Sequence, residues 1–440
     1  MTTKRPIGVD LFSGVGGMSL GFEQAGFDVV AAVEIDPVHA AVHAFNFPGC
    51  AVLPRPISQL SGKDIRRAAG IGKRRVDVVF GGPPCQGFSL MGQRMLDDPR
   101  NSLVLEFVRV VKELKPSYFV FENVKGLTQG KHRAFLDESI AAFAQIGYSV
   151  TLPWRVLNAT DYGVPQDRER LILLGHRKGR PAPVYPSSGT LVPTCRDAIA
   201  DLPDADTFEV LWTTDEVRTD KWGTPSGYAL ALRCLDPKSW AFGYRRKWDP
   251  SLLTGSLRTE HTTISRRRFA ETRPGETEPI SRFFKLPEDG VSNTLRAGTD
   301  SARGAFTSPR PIHYRLPRCI TVREMARLHG FPDWFRFHET KWHGARQIGN
   351  AVPPPMARAI ASSIVRALGA TPKRPTRVLD LGDPKLLRMD LSAASRYWDV
   401  PVPLRRRDRK SGAIKRRQSE IEALRVVAKF PDPICQPISA

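Results

Sequence analysis

Up to about residue 177, the chain alternates short apolar runs rich in β-branched residues with segments of helical hydrophobic period. This alternation is typical of an α/β fold with a doubly wound, mostly parallel sheet. The predicted strands are 7–12, 28–35, 76–80, 118–121, 148–157 and 170–174, and the predicted helices are 18–25, 37–45, 102–114 and 132–146.

The pattern changes between about residues 178 and 316, where Pro, Gly, Thr and Trp are frequent and no period is sustained. A second, irregular domain is predicted there. Helical signals return with the capping-box spacing of Thr321 and Glu324, and again at 355–368. The predicted organisation is therefore 1–177, 178–316, 317–368 and a basic C-terminal extension, 369–440.

The net charge of the chain indicates the kind of partner that it binds. The 440 residues include 66 Lys and Arg against 45 Asp and Glu, a formal net charge of +21, which points to a polyanion. With 41% hydrophobic and 25% charged residues, the chain is not disordered throughout. The last 70 residues hold 16 basic and 8 acidic residues, and we expect their basic clusters, 405–407 and 415–417, to be a solvated or polyanion-steering extension rather than a second recognition element.

No apolar run approaches the roughly 18–20 residues of a membrane-spanning helix, and the N-terminus lacks a signal-peptide pattern. We therefore expect a cytoplasmic protein without membrane contact. The six cysteines occur singly, without C-x-x-C pairs or Cys/His clusters, so we expect reduced thiols and no metal site.

Two motifs follow the first two predicted strands. Residues 10–17, DLFSGVGG, form a glycine-rich turn that lets a ligand approach the backbone, although such turns also bind dinucleotides or merely pack. Glu34 follows the glycines by 17 to 20 residues. In nucleotide-binding folds, an acid at this spacing binds the ribose hydroxyls. The alternative is that Glu34 is a solvated carboxylate at the end of a strand.

Two further motifs follow the third and fourth strands. The stiff Gly-Gly-Pro-Pro turn at 81–84 would present the thiol of Cys85, which is otherwise a small buried hydrophobe. Glu122 follows the apolar run 118–121, where burial could raise its pKa and make it a proton donor; a capping or ion-paired Glu is the alternative. Since carboxyl ends of parallel strands share one edge, the four motifs together predict nucleophilic chemistry beside a nucleoside cofactor.

These motifs belong to a longer series that resembles the cytosine-5 DNA methyltransferases of bacterial restriction-modification systems. The matching blocks occur in family order and span most of residues 7–365. They are DLFSGVGG at 10–17, VEID at 33–36, GGPPCQGFS at 81–89, RNSL at 100–103, ENV at 122–124, QDRER at 166–170, RCITVREMARLHGFPDWF at 318–335 and RQIGNAVPPPMARAI at 346–360.

The resemblance implies a Rossmann-like fold that binds S-adenosylmethionine as methyl donor and needs no metal. It implies that Cys85 is the nucleophile, that Glu122 contacts the cytosine, and that Arg168 and Arg170 serve the target base and its phosphates. The implied cofactor-binding residues are Phe12, Gly14, Gly16, Gly17, Glu34, Ile35, Ile57, Pro84, Leu103 and Asn350.

The resemblance also implies that 346–365 returns to the first motif and that 178–316 is the target recognition domain. The partner would be double-stranded DNA, bound by a monomer in the cytoplasm at the nucleoid, with a separate cognate restriction endonuclease as a further candidate. The loop 86–98 could close over the DNA or remain a solvated surface loop.

One family feature is missing, because Pro56 stands where an acid usually meets the adenine amino group. Either Asp64 substitutes for that acid or the amino group has no such partner. Other functions stay open: a transfer-RNA cytosine-5 methyltransferase, a catalytically silent DNA-binding or regulatory module, and a nicotinamide dehydrogenase, which would leave the PPCQ and QDRER motifs unused.

Overall fold

The computed structural model describes residues 5–84, 102–130, 132–189, 191–299 and 307–403. Its main sheet contains β1 (Ile7–Leu11), β2 (Asp28–Val33), β3 (Ala51–Leu53), β4 (Val78–Gly81), β5 (Tyr118–Val124), β6 (Tyr148–Val150), β7 (Arg155–Asn158) and β8 (Glu169–Arg177). The strand order is β3-β2-β1-β4-β5-β8-β6, with β7 also paired to β8. Strands β1 to β5 are mutually parallel, whereas β8 runs antiparallel to β5, β6 and β7.

Helices cover both faces of this sheet because its strands are apolar on both sides. In β5, Phe119 and Phe121 belong to one buried cluster, and Tyr118 and Val120 to the cluster on the opposite face, as the two-residue period of a strand requires. The helices of this part are α1 (Gly17–Ala25), α2 (Pro37–Asn46), α3 (Gly62–Ala68), α4 (Ser102–Leu114) and α5 (His132–Gln145).

The middle region and the later helices share one core with the α/β part. The middle region contains α6 (Cys195–Ile199), β9 (Val217–Arg218), α7 (Gly227–Arg233), β10 (Arg245–Arg246), β11 (Leu252–Leu253) and α8 (Thr263–Glu271). It is followed by α9 (Val322–Leu328), α10 (Lys341–Asn350), α11 (Pro354–Leu368), β12 (Val378–Leu379) and α12 (Leu391–Tyr397). A single hydrophobic cluster includes residues of α2, α6, α9 and α10, so these segments pack as one body.

Helix α11 returns to the start of the chain and packs along α1. Gly21 marks the closest approach, because a Cβ placed there would lie 2.5 Å from Ala357 Cβ and 2.7 Å from the carbonyl oxygen of Pro354. Residues distant in sequence thereby complete the face of the sheet that α1 begins to cover.

The predicted fold class is confirmed, and the helix predicted at 102–114 has the observed bounds. The predicted capping box of Thr321 and Glu324 is present at α9. The prediction of one strand over 148–157 is wrong, because β6 and β7 are separate and both pair with β8. Strand β3 and helices α3 and α10 were not predicted, since each is short or weakly periodic.

The part of the C-terminal extension that the structure describes packs onto the core. Leu386 and Leu387 are 5% and 1% exposed and belong to the same hydrophobic cluster as α2. The basic clusters 405–407 and 415–417 lie outside the described residues. Within the described ranges, no helix is long and apolar enough to cross a membrane.

Candidate active site

The turn after β1 has a backbone that few sequences allow. Phe12, Gly14 and Gly16 have φ angles of 61°, 54° and 98°. At Gly16 a side chain is also excluded by space, since a Cβ would lie 2.4 Å from the Phe47 ring and 3.0 Å from that of His43. The glycine is therefore required both for its conformation and for the close approach of α2.

Glu34 lies at the end of β2, beside this turn. Its carboxylate accepts hydrogen bonds from the backbone N–H of Gly14 at 2.7 Å and of Asp36 at 2.9 Å. Burial raises the pKa of Glu34, although the two amides and His39 oppose the shift. The neighbouring Ile35 is 60% exposed, so its side chain is accessible at the end of β2.

The other predicted cofactor-binding residues lie around the same edge in different environments. Ile57 is 4% exposed and begins a short 3₁₀ turn, Leu103 is half-buried in the first turn of α4, and Pro84 and Asn350 are exposed. The return segment touches the glycine turn directly: a Cβ on Gly17 would lie 2.5 Å from the Val352 carbonyl oxygen.

Asp64, the alternative to the missing acid, takes part in the N-terminal cap of α3. Its carboxylate accepts hydrogen bonds from the hydroxyl and the backbone N–H of Ser61, which makes it the N3 member of the α3 capping box. The hydroxyl bond first, and the amide bond second, hold the pKa of Asp64 below its usual value. One of its two oxygens, Oδ2, thus serves the helix cap.

The turn after β4 is tied to the end of β5. The Asn123 side chain donates a hydrogen bond to the Pro83 carbonyl oxygen at 3.1 Å. Gly82 lies directly against the acid, because a Cβ there would lie 2.2 Å from Glu122 Oε2 and would displace the ion-paired carboxylate. The two motifs, separated by about 40 residues in sequence, therefore meet. Cys85, three residues after Gly82, lies outside the described residues, as does loop 86–98.

Glu122 and Arg170 form an ion pair across β5 and β8. Val124 pairs with Arg170 in the antiparallel register, which makes Arg170 the diagonal neighbour of Glu122. The Arg170 Nε to Glu122 Oε1 distance is 2.9 Å, with side chains 15% and 13% exposed. Burial raises the pKa of Glu122, and the charges of Arg170 and Arg168 oppose the rise.

Arg168 occupies a different position from Arg170. It is 1% exposed, and its guanidinium donates hydrogen bonds to the carbonyl oxygens of Leu295, Gly349 and Ala351. Burial lowers the pKa of Arg168 well below its usual value, and the charge of Arg170 adds to this effect. The side chain joins β8 to two distant segments.

A buried polar chain beneath the glycine turn was not predicted. The Ser19 hydroxyl donates to Asp10 Oδ2 at 2.6 Å and lies 3.2 Å from His43 Nε2. Burial raises the pKa of Asp10 to about 8 and lowers that of His43 to about 3. The sequence signal was the acid at the head of DLFSGVGG; Ser19 and His43 lie on helices that are buried on nearly all sides, where no periodic pattern distinguishes them.

A family model described as C-5 cytosine-specific DNA methylase matches residues 8–366. The chain belongs to this family. Methylation of DNA cytosine at carbon 5 is therefore its activity, DNA its substrate, and the transfer-RNA and dehydrogenase alternatives are set aside. Membership of a methyltransferase family also implies a methyl donor.

Relatives extend over nearly the whole chain of this DNA methylase. It is 60% identical over 396 residues to the type II methyltransferase M.XorII of Xanthomonas oryzae pv. oryzae, covering 90% of this chain and 93% of the relative. It is 35% identical to the type II methyltransferase M1.HphI of Haemophilus parahaemolyticus, covering 81% and 86% of the two chains.

A solved structure supports the same fold. A protein described as a DNA modification methyltransferase encoded within an E. coli prophage superimposes with a TM-score of 0.69 at 35% identity. The match covers 83% of this chain and 99% of that one. Among the described residues of the methylase, no group of three or more His, Cys, Asp or Glu side chains could hold a metal ion.

Proposed function

We propose that this methylase acts on a cytosine extruded from a specific duplex sequence, through a covalent adduct between Cys85 and carbon 6 of the base. The buried Glu122–Arg170 pair carries this proposal. It lies against Gly82 at the edge where the glycine turn and Glu34 also lie. Acid, cofactor turn and the segment leading to the thiol thus converge on one place.

The residue types suit the reaction. Carbon 5 of cytosine is a poor nucleophile until a thiolate adds to carbon 6 and converts the ring to an enamine. A free thiol has a pKa of about 8.5, which leaves a usable thiolate fraction near neutrality. Glu122, whose pKa is raised by burial, would hold a proton at ring nitrogen 3 as charge enters the ring. Once carbon 5 has taken up the methyl group, loss of its proton to a base and departure of the Cys85 thiolate restore the aromatic ring.

S-adenosylmethionine, when bound, would supply an electrophilic methyl group. The glycine turn fits such a ligand, since a Cβ built on Gly14 meets no atom within 4 Å. The Ser13 hydroxyl nearby is buried and has no hydrogen-bond partner in the described part of the chain. Glu34 would accept hydrogen bonds from ribose hydroxyls, and the exposed Ile35 would cover one face of the adenine.

The remaining predicted residues would complete the cofactor pocket from several elements. These are Phe12, Gly16, Gly17, Ile57, Pro84, Leu103 and Asn350. Arg170 would orient Glu122 and contact the target base, whereas Arg168 would serve the site by holding segments together. Because Asp64 Oδ2 accepts both hydrogen bonds of the helix cap, we propose that the adenine amino group makes no contact with this carboxylate.

The base must leave the helix, because attack occurs over the ring face; this costs a few kcal/mol, which contacts to phosphates offset. The net charge of +21 suits that requirement. We propose 178–316 as the target recognition domain, set into a discontinuous catalytic domain formed by 1–177 and 317–368. A monomer would act on chromosomal DNA as the modification enzyme of a restriction-modification system, with a separate endonuclease.

The experiment uses a duplex that contains 5-fluorocytosine. Fluorine replaces the carbon 5 hydrogen, so the proton loss that would release Cys85 cannot occur and the adduct is trapped. The wild-type protein with S-adenosylmethionine should form an adduct that survives denaturing electrophoresis, and Cys85→Ser should form none while still binding DNA. Cys50→Ser, at a half-buried cysteine distant in sequence from the proposed site, is the matched control. Absence of the wild-type adduct despite tight binding of the duplex would overturn the proposal.

A further inference from the structure

The described part of the C-terminal extension packs on the cofactor side of the molecule. The family model ends at residue 366, so β12, α12 and the 3₁₀ turn Pro384–Leu387 lie beyond it. Leu386 and Leu387 nevertheless share a hydrophobic cluster with Phe45 and Phe47, at the C-terminal end of α2. We call this segment, residues 370–403, the C-terminal brace.

The brace contacts both ends of α2. At the C-terminal end, the Gly382 backbone N–H donates to the Phe45 carbonyl oxygen at 2.9 Å. At the N-terminal end, the indole N–H of Trp398 donates to the Pro37 carbonyl oxygen at 3.2 Å. Pro37 is the first residue of α2 and follows Glu34 by three positions.

The brace is itself anchored to the middle region and to the segment between α9 and α10. Strand β12 pairs with β10 of the middle region, and the Lys247 backbone N–H donates to the Leu379 carbonyl oxygen at 2.8 Å. His338 Nε2 lies 3.1 Å from the Met389 carbonyl oxygen, and the Glu339 N–H donates to the Leu387 carbonyl oxygen at 3.1 Å. Trp398 is thus held by a segment with fixed positions at several points.

Short connections lead from Pro37 to the Glu34 carboxylate. Asp36 is the N-cap of α2, and its side chain accepts hydrogen bonds from the N–H groups of Val38 and His39. The Asp36 backbone N–H in turn donates to Glu34 Oε1 at 2.9 Å. A displacement of the first turn of α2 would therefore move the donor that orients this carboxylate.

We infer that Trp398 is a positioning residue for the turn 34–36, and that the C-terminal brace sets the affinity for the methyl donor. The inference rests on the proposed role of Glu34 in holding the ribose. It assigns to residues beyond the family model a function in cofactor binding rather than in DNA steering.

The test is Trp398→Phe in the full-length protein, which keeps an aromatic ring and removes the indole donor. A net hydrogen-bond contribution of ordinary size predicts a roughly three- to ten-fold rise in the KM and Kd for S-adenosylmethionine. The kcat at saturating donor and the KM for DNA should stay within about two-fold of wild type. Donor affinity is measured by calorimetry and the kinetic constants by tritiated-methyl transfer.

Trp222→Phe is the matched control, since the Trp222 indole also donates to a backbone carbonyl, that of Thr219, at 3.1 Å within the middle region. It should leave donor affinity unchanged. A Trp398→Phe protein with wild-type donor affinity, whether or not its thermal midpoint falls, would refute the inference. Glu34→Gln distinguishes a failure of this inference from a failure of the proposed function. If this variant also leaves donor affinity unchanged, Glu34 does not hold the ribose and the proposed cofactor site is itself wrong.

Discussion

At the residue scale, two buried carboxyl groups of the main sheet have different roles because their partners differ. Burial raises the pKa of both Asp10 and Glu122, but Glu122 faces two arginines, whereas Asp10 faces the Ser19 hydroxyl and the charge of Glu34. Glu122 is placed to exchange a proton with a substrate. Asp10, 1% exposed, is placed to hold the glycine turn.

Glu122→Gln should lower kcat by about 10²- to 10⁴-fold, the usual contribution of general acid–base catalysis, with a much smaller effect on DNA binding. The amide keeps the shape of the side chain but cannot give up a proton in the same way. Single-turnover kinetics with preformed complexes provides the measurement.

Glu169→Gln is the comparison for that variant, because Glu169 is also ion-paired, with Lys125 at 2.7 Å, but is 40% exposed. Its turnover should match wild type. An equal decrease of kcat in both variants would mean that the loss of a negative charge at this edge of the sheet, rather than the loss of Glu122 itself, lowers turnover.

Asp10→Asn should change how stability depends on pH. An acid whose folded-state pKa is about 8, against about 3.9 when unfolded, contributes stability that is complete below about pH 4 and lost progressively up to about pH 8. The variant lacks this titratable group. Its free energy of unfolding should therefore rise relative to that of wild type as the pH increases from about 5 to about 8, by up to about 1.4 kcal/mol per pH unit.

Urea unfolding at several pH values measures this difference. Asp137→Asn, at an exposed residue paired with Arg133, should show no such trend. A constant offset between Asp10→Asn and wild type across that pH range would contradict the raised pKa.

At the element scale, sequence periodicity predicted those elements whose burial is regular. Helix α4 was predicted with its bounds because its apolar positions recur along one face. Strand β3 has three half-buried residues and α3 only two buried ones, so neither leaves a periodic signal. The contacts of the C-terminal brace depend on isolated residues such as Gly382 and Trp398, which no local pattern distinguishes.

In the candidate site, too, features with a local sequence pattern could be predicted, whereas those that depend on isolated long-range contacts could not. Four of its motifs could be located from the sequence because they stand at the ends of predictable strands; they are 10–17, 33–36, 81–89 and 122–124. The separate positions of Arg168 and Arg170 could not, since these arginines, two residues apart in one motif, have the same local pattern. Their difference arises from backbone carbonyls more than 120 positions away.

Gly21→Ala should destabilise the contact between α1 and α11. The added Cβ would lie 2.6 Å from the Arg358 backbone nitrogen, and backbone cannot move aside as a flexible side chain would. Overpacking of this kind costs about 1–3 kcal/mol. The thermal unfolding midpoint should fall, whereas Gly49→Ala, where a Cβ meets no atom within 4 Å, should leave it nearly unchanged. Equal midpoints for the two variants would contradict the close packing.

At the scale of the whole molecule, positive charge and the shared core have separate functions. The core joins the catalytic part, the middle region and the C-terminal brace, whereas the clusters 405–407 and 415–417 follow the described residues and add charge. A DNA-steering function is therefore predicted for residues 404–440 alone.

Replacing the six basic residues of those clusters by Gln should weaken DNA binding at low salt without altering which cytosine is methylated. The slope of log K against log salt concentration should become shallower by about 0.9 for each phosphate that the variant no longer neutralises. Fluorescence anisotropy over a salt series measures the slope, and bisulfite sequencing identifies the methylated position. An unchanged slope would mean that these clusters remain solvated.

The three carbonyl groups bound by Arg168 have a consequence for engineering. Leu295 lies near the end of the proposed recognition domain, whereas Gly349 and Ala351 belong to the returning catalytic segment, and one guanidinium holds all three. A chimaera that imports a foreign recognition domain would have to bring a backbone carbonyl to the place of the Leu295 carbonyl. A junction that displaced the backbone there would leave the interior guanidinium with two of its three acceptors.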